Sequence, residues 1–145
     1  MSILDTTNGQ PLSPLIKLPI TQEQLRRYAD ASGDYNPIHL DEQAAQRVGL
    51  DGVIAHGMLS MAFLGQFVHQ QIAGIKGARI EQLRVRFLQM VRLGDTLTCH
   101  GVVKAQTTNE DLHQSIIIEC WAQNQDEVKV TTGEAVVIIP VASGR

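Results

Sequence analysis

The chain has little of several features that would assign it to other classes of protein. It holds two cysteines among 145 residues, and its 12 lysines and arginines are outnumbered by 15 aspartates and glutamates. The net charge of −3 gives no reason to expect a nucleic-acid partner, which usually draws a basic protein. The longest apolar stretch is interrupted by Ser60, Gln66 and His69, so it is too short and too polar to span a bilayer.

No targeting or metal-binding pattern stands out either. The first nine residues contain no basic segment and no apolar run, so we expect no secretory signal and a soluble, cytoplasmic protein. Cys99 and Cys120 do not have the spacing of a zinc site, and no metal is expected. A disulfide between them stays open, but two buried, reduced thiols are the simpler expectation. The length and the apolar content of 43% are typical of one globular domain.

The first half of the chain carries helix signals. Thr21 begins a capping box, Asp41 is a second N-cap candidate, and Pro19 favours a sheet edge or a strand end. The expected elements are a loosely ordered lead-in over 1–14, a short strand over 15–20, and helices over 21–33, 42–48 and 58–72. Apolar residues surround most of the last helix, which predicts burial on several sides.

From residue 76 onward the apolar period changes from helical to alternating. The predicted strands run near 80–87, 96–103, 115–122 and 128–139, with turn residues between them. Four consecutive strands separated by turns predict an antiparallel meander. One strand, then helices, then four strands is an α+β arrangement, so we expect a single domain over 15–145 in which a curved sheet wraps the long helix.

Chemistry-bearing residues are concentrated in the loop after the first helix. Asp34, Asn36 and His39 fall within six positions, and Pro37 stiffens the backbone around them. Aspartate and asparagine also cap turns, which is the alternative role for both. An imidazole exchanges protons near neutral pH, so Asp34 and His39 converging on one water would make that water nucleophilic. Asn36 could orient the water or either partner.

A second motif lies at the start of the long helix. Gly57 leaves the N–H groups of the first helical turn open, and a helix N-terminus favours a negatively charged oxygen. The alternatives are that Gly57 permits close packing, that His56 anchors the turn, and that Ser60 bonds its own helix instead of a substrate. A base, an acid and an oxyanion site together indicate addition of water to an activated double bond, or its removal.

The segment 28–41, with Ala44 and Ala45 after it, resembles the signature of the MaoC-like hydratases. That family includes (R)-specific enoyl-CoA hydratases and (R)-3-hydroxyacyl thioester dehydratases. The segment 54–61 is similar to its second motif, and the resemblance extends from about residue 15 to 139. It implies the hot-dog fold, a curved antiparallel sheet around a long central helix. A short chain with a single hot-dog domain, such as this one, is especially similar to the dehydratase subunits that act on substrates carried by acyl carrier protein.

Carried over position by position, the resemblance implies that Asp34 and His39 are the catalytic pair. It likewise implies that Asn36 helps to position the water and that the Gly57 N–H is the oxyanion donor. The implied reaction is reversible syn hydration of a trans-2-enoyl thioester to the (R)-3-hydroxyacyl thioester in fatty-acid metabolism, with no metal or redox cofactor. Family members are dimers joined through sheet edges, which implies a homodimer or a heterodimer with another hot-dog subunit.

Three further residues are candidates for substrate binding, and other functions stay open. Ser60 is one candidate, while Arg84 and Arg86 could bind phosphate of coenzyme A or of a carrier protein's phosphopantetheine arm. A solvated strand face is the alternative for the two arginines. A hot-dog thioesterase, a non-catalytic partner that only supplies an acyl tunnel, and a regulatory thioester-binding module are the rival functions. The Asp34 and His39 pair favours hydration over all three.

Overall fold

Five strands and three α-helices make up the fold in the computed structural model, which describes residues 3–140. The strands are β1 (Leu15–Ile16), β2 (Arg79–Phe87), β3 (Thr98–Thr108), β4 (Gln114–Gln123) and β5 (Lys129–Ile139). The helices are α1 (Gln22–Ser32), α2 (Glu42–Arg47) and α3 (Gly57–Ile72), and a 3-10 turn, Pro37–His39, lies between α1 and α2. Within residues 3–140, no helix combines the length and the apolar character needed to cross a membrane.

Local signals place the helix ends where the sequence predicts them. The Thr21 hydroxyl accepts a hydrogen bond from the Gln24 N–H at 3.1 Å, which is one half of the expected capping box. The Asp41 carboxylate accepts one from the Gln43 N–H at 2.9 Å. Gly33 ends α1 with a φ of +78°, a conformation that favours glycine. The strand expected over 15–20 is limited to the two residues of β1, at one edge of the sheet.

All the strand pairs are antiparallel, in the order β1-β3-β4-β5-β2. The predicted four-strand meander is therefore wrong for β2, which pairs with β5 and not with β3. The connection over 88–97 carries the chain from the edge strand β2 across the sheet to β3, the neighbour of the opposite edge strand β1, and the expected turn at Gly94 lies near its end. Alternation of apolar residues decides which face of a strand is buried, but it carries no information about the neighbouring strand.

Helix α3 packs with one face on the sheet. Its buried residues recur at spacings of three and four: Leu59, Ser60, Phe63, Leu64, Phe67, Val68 and Ile72. Met58, Ala62 and Gln66 are exposed on its other side. The prediction that α3 is buried on several sides is thus wrong within a single chain, because one sheet covers only one face of the helix.

The N-terminal residues differ from the expected loose lead-in. Ile3 and Leu12 are buried in the core, and the Gly9 N–H donates to the Val103 carbonyl at 2.8 Å. Residues 3–12 therefore cover β3, although half of them are polar.

Cys99 and Cys120 are buried, unpaired thiols, as expected from the sequence. They lie on β3 and β4, where Gly101 pairs with Cys120. Burial in apolar surroundings raises the pKa of each thiol from 9.0 to about 12. Neither thiol is therefore available as a nucleophile at neutral pH.

Candidate active site

Short-range hydrogen bonds shape the loop between α1 and α2. The Asp34 carboxylate accepts from the Asn36 N–H at 3.1 Å, and the Asn36 side-chain oxygen accepts from the Ile38 N–H at 3.2 Å. Asn36 thereby caps the 3-10 turn that carries His39. The capping role considered for both residues is real, and it also fixes the backbone that presents Asp34 and His39.

Asp34 and His39 face each other at the mouth of a cleft. Oδ2 of Asp34 lies 3.9 Å from Nε2 of His39; the Asp34 side chain is half exposed, while that of His39 is 10% exposed. Nδ1 of His39 lies 2.8 Å from the Ile54 carbonyl oxygen. Because a carbonyl can only accept, Nδ1 donates its proton there and Nε2 is left to exchange a proton on the side of Asp34.

His56 lies directly beneath this pair. Its ring stacks on that of His39, with centroids 4.0 Å apart and planes inclined by 27°, and it contacts the Tyr28 ring at 4.9 Å. Nε2 of His56 donates to the backbone carbonyl of Asp34 at 3.0 Å. His56 does anchor the turn before α3, as the sequence indicates, but its contacts with Asp34 and His39 come from the tertiary structure.

Asp34, His39 and His56 each offer a possible metal ligand, and these atoms lie within 4.8 Å of one another. One nitrogen of each imidazole already faces a backbone carbonyl. The two rings are also stacked, so their in-plane lone pairs run side by side and do not converge on one point. This arrangement suits proton transfer better than metal binding.

Gly57 begins α3 at the inner wall of the cleft. The first N–H groups of a helix have no partner within the helix, so that of Gly57 is open to an anionic oxygen. A Cβ at Gly57 would lie 3.5 Å from the Phe87 ring, an ordinary van der Waals contact, so the space beside β2 would also admit an alanine. The cleft has a volume of about 410 Å³ and is lined by His39, His56, Gly57, Ser60, Thr131 and apolar residues of 87–91.

Ser60 is brought to the cleft but is engaged internally. Its hydroxyl donates to the Gly57 carbonyl at 2.8 Å, the bond within its own helix that the sequence offers as an alternative. It also contacts the Thr131 hydroxyl at 2.7 Å, and both side chains are buried. Thr131 was missed by sequence reasoning, although alternation along β5 would have placed it on the inner face.

Arg84 and Arg86 are not brought to this cleft. They line a separate groove of about 490 Å³, together with Lys104, Trp121 and Glu134. Arg84 forms an exposed ion pair with Glu134, with 3.7 Å between Nη2 and Oε1. Within one chain, the structure therefore groups Asp34, His39 and Gly57, with Asn36 in the supporting loop, and leaves the two arginines elsewhere.

Comparisons with known proteins agree on one family. The family model described as MaoC like domain matches residues 4–119. A mitochondrial 3-hydroxyacyl-[acyl-carrier-protein] dehydratase of Arabidopsis thaliana is 29% identical over 123 residues, covering 83% of this chain and 70% of the relative. An (R)-specific enoyl-CoA hydratase of Rhodospirillum rubrum is 30% identical over 136 residues, and the match covers 94% of this chain and 90% of the relative. The solved structure of the (R)-hydratase from A. caviae involved in PHA biosynthesis has a TM-score of 0.81 at 28% identity, and the match covers 94% of this chain and 98% of that structure.

Proposed function

This chain belongs to the family of MaoC-like dehydratases, and we propose that it is a hydro-lyase of fatty-acid metabolism. The proposed reaction is reversible hydration of a trans-2-enoyl thioester to the (R)-3-hydroxyacyl thioester. The observation that carries the proposal is the approach of the Asp34 carboxylate to the His39 imidazole at 3.9 Å beside the start of α3. The relatives named hydratase and dehydratase support the reaction class, and the (R) configuration rests on the relative and the solved structure whose names specify it.

The site supplies each part that the reaction needs. The separation of 3.9 Å is longer than a hydrogen bond, so one water can contact both Asp34 and His39. These groups deprotonate the water as its oxygen bonds to the β-carbon of the enoyl thioester. The Gly57 N–H stabilises the enolate oxygen that develops, and a proton is then returned to the α-carbon. In dehydration the same steps run in reverse.

The proposed substrate is an acyl thioester of coenzyme A or of acyl carrier protein. Its thioester carbonyl approaches Gly57, and its β-carbon lies near Asp34 and His39. We do not assign Arg84 or Arg86 to this site, because they line the separate groove and Arg84 already pairs with Glu134.

We further propose that the protein acts as a dimer with a second hot-dog chain, either a copy of itself or a different subunit. Strand β2 is the last strand of the sheet and pairs along one side only within residues 3–140. Exposed strand edges are usually covered or paired. Phe87, Leu88 and Met90 are exposed next to the cleft and give this edge an apolar end. A cytoplasmic location stays a prediction.

The test is the loss of enoyl-thioester absorbance when the purified protein is mixed with crotonyl-CoA or crotonyl-carrier protein. Asp34→Asn and His39→Ala should each lower kcat/KM by roughly 100-fold or more, since acid–base groups commonly contribute that much. Asp126→Asn and His69→Ala change the same residue types at exposed positions outside the cleft and should leave the rate unchanged.

Thiol release distinguishes the rival activity. Loss of absorbance without free thiol supports hydration, whereas free thiol would assign the protein to the thioesterases. Activity that survives in both Asp34→Asn and His39→Ala would contradict the roles given to these residues. No reaction with either carrier, in the presence or absence of a second hot-dog subunit, would refute the proposed function.

A further inference from the structure

We propose that His56 is a positioning residue of this site, which holds the Asp34 backbone and the His39 ring in the arrangement that lets them share one water. The inference rests on the proposed function and adds a residue to it. His56 acts on the reaction through Asp34 and His39; we assign it no contact with the substrate.

Two contacts of one buried ring define this role. His56 is 2% exposed, and its Nε2 donates to the Asp34 backbone carbonyl at 3.0 Å. The same ring stacks on His39 at 4.0 Å. His56 therefore touches both members of the catalytic pair, and it is covalently joined to Gly57, the proposed oxyanion donor.

The bond to Asp34 ties its loop to a distant part of the chain. The other hydrogen bonds of Asp34 within residues 3–140 are local: its N–H donates to the Ser32 hydroxyl at 3.2 Å, and its carboxylate accepts from the Asn36 N–H. Local bonds fix the shape of a turn but not its position relative to α3. The hydrogen bond from His56 positions Asp34 relative to α3, while the bonds of Ile38 and His39 to Ile54 hold the rest of the loop beside the same segment.

The identity of the residue before α3 supports a role other than helix capping. Serine, threonine, aspartate and asparagine are preferred at this N-cap position because their side chains accept from the first helical N–H groups. The His56 side chain makes no such hydrogen bond. A short capping side chain could not both reach the Asp34 carbonyl and cover the His39 ring, which an imidazole does.

The ring must carry a hydrogen on Nε2 to act in this way. Nε2 faces a carbonyl, so it carries the hydrogen. Nδ1 is buried and has no partner within residues 3–140. A second proton there would be a donor without an acceptor, and it would place a positive charge against the His39 ring.

Three substitutions separate the hydrogen bond from the stacking contact. His56→Gln retains a side-chain N–H donor but no ring, His56→Phe retains a ring but no donor, and His56→Ala removes both. We expect His56→Gln to keep kcat within about 5-fold, and His56→Phe and His56→Ala to lose roughly 10- to 100-fold in kcat with KM changed by less than 3-fold. Misplacement of reacting groups by about 1 Å costs a loss of this size.

Controls keep this test apart from folding and from the proposed function. Thermal unfolding shows whether each variant is folded at the assay temperature, and His69→Gln and His69→Phe are matched changes at an exposed position of α3. Equal loss in His56→Gln and His56→Ala, or full activity in His56→Phe, would overturn the hydrogen-bonding role. If the wild type hydrates no enoyl thioester, it is the proposed function that fails.

One measurement does not need activity. Long-range proton–nitrogen correlation spectra of the wild type, assigned with His56→Gln, report which ring nitrogen carries the proton. We expect the proton on Nε2. A ring whose only proton is on Nδ1 would overturn the inference.

Discussion

The two buried thiols should make the stability of this protein fall steeply at alkaline pH. Cys99 and Cys120 have pKa values of about 12 in the folded chain, because burial disfavours the thiolate, whereas an unfolded cysteine has a value of 9.0. A thiol whose pKa is raised by folding contributes stability that is fully present below pH 9. That stability is lost as the pH rises from 9 towards 12, because only the unfolded chain releases its protons easily.

The size of the effect follows from these values. At pH 10 the thiolate of an unfolded cysteine outnumbers its thiol by about ten to one, while each cysteine in the folded chain is still a thiol. A tenfold ratio corresponds to about 1.4 kcal/mol, so two thiols together lower the free energy of unfolding by about 3 kcal/mol relative to pH 7. This is a large fraction of the stability of a typical domain.

The assay is urea denaturation of the wild type and of the Cys99→Ala, Cys120→Ala double variant at pH 7 and pH 10. Lysine and tyrosine titration affects both proteins, so the difference between their pH dependences isolates the thiols. With a typical denaturant slope, the wild-type midpoint should fall by roughly 1–3 M more than that of the double variant. The single variants Cys99→Ala and Cys120→Ala should each show half of this difference between the wild type and the double variant.

Equal pH dependence in the wild type and the double variant would refute this reasoning. It would mean that the thiols ionise as readily in the folded chain as in the unfolded one, and hence that α3 does not seal the inner face of β3 and β4. Rapid reaction of the native thiols with Ellman's reagent at neutral pH would lead to the same conclusion.

Two other changes test the packing around the cleft. Gly101→Ala should lower the free energy of unfolding by about 1–3 kcal/mol, because the added Cβ would lie 2.8 Å from Cε2 of Phe67. The control is Gly65→Ala on the facing helix α3, which should not destabilise the protein because the nearest atom to its added Cβ is 3.8 Å away. An unchanged urea midpoint in Gly101→Ala would contradict the close approach of Gly101 to Phe67. Ser60→Ala should lower the free energy of unfolding by about 1–3 kcal/mol, because it leaves the buried Thr131 hydroxyl without a partner. The Ser60→Ala, Thr131→Val double variant should lose less of this free energy than the sum of the losses in the two single variants. Strictly additive unfolding free energies in this double-mutant cycle would show that the two hydroxyls are not coupled.

The site combines a loop shaped by its own side chains with a helix start supplied from elsewhere. Asp34 and Asn36 form consecutive caps that aim His39 into the cleft. The open amide of Gly57 then faces the same cleft from α3. One turn and one helix end thus lie side by side, and it is there that we propose the base, the acid and the anion site.

Features that depend on neighbouring residues could be predicted from the sequence. The caps at Thr21 and Asp41, the end of α1 at Gly33 and the approximate bounds of β2 to β5 follow from side chains within a few positions of each feature. The approach of Asp34 to His39 is also local, since only four residues lie between them. Hydrogen bonds and steric limits of this range act in any fold.

How distant segments meet could not be predicted from the sequence and depends on the packing of the folded chain. The pairing of β2 with β5, the single buried face of α3, and the stacking of His56 on His39 depend on which surfaces pack together. The same packing placed Arg86 in a groove away from the cleft. Periodicity specifies that a strand or helix has an apolar face, but the partner of that face is chosen by the packing of the whole chain, because burial of apolar surface has no preferred direction.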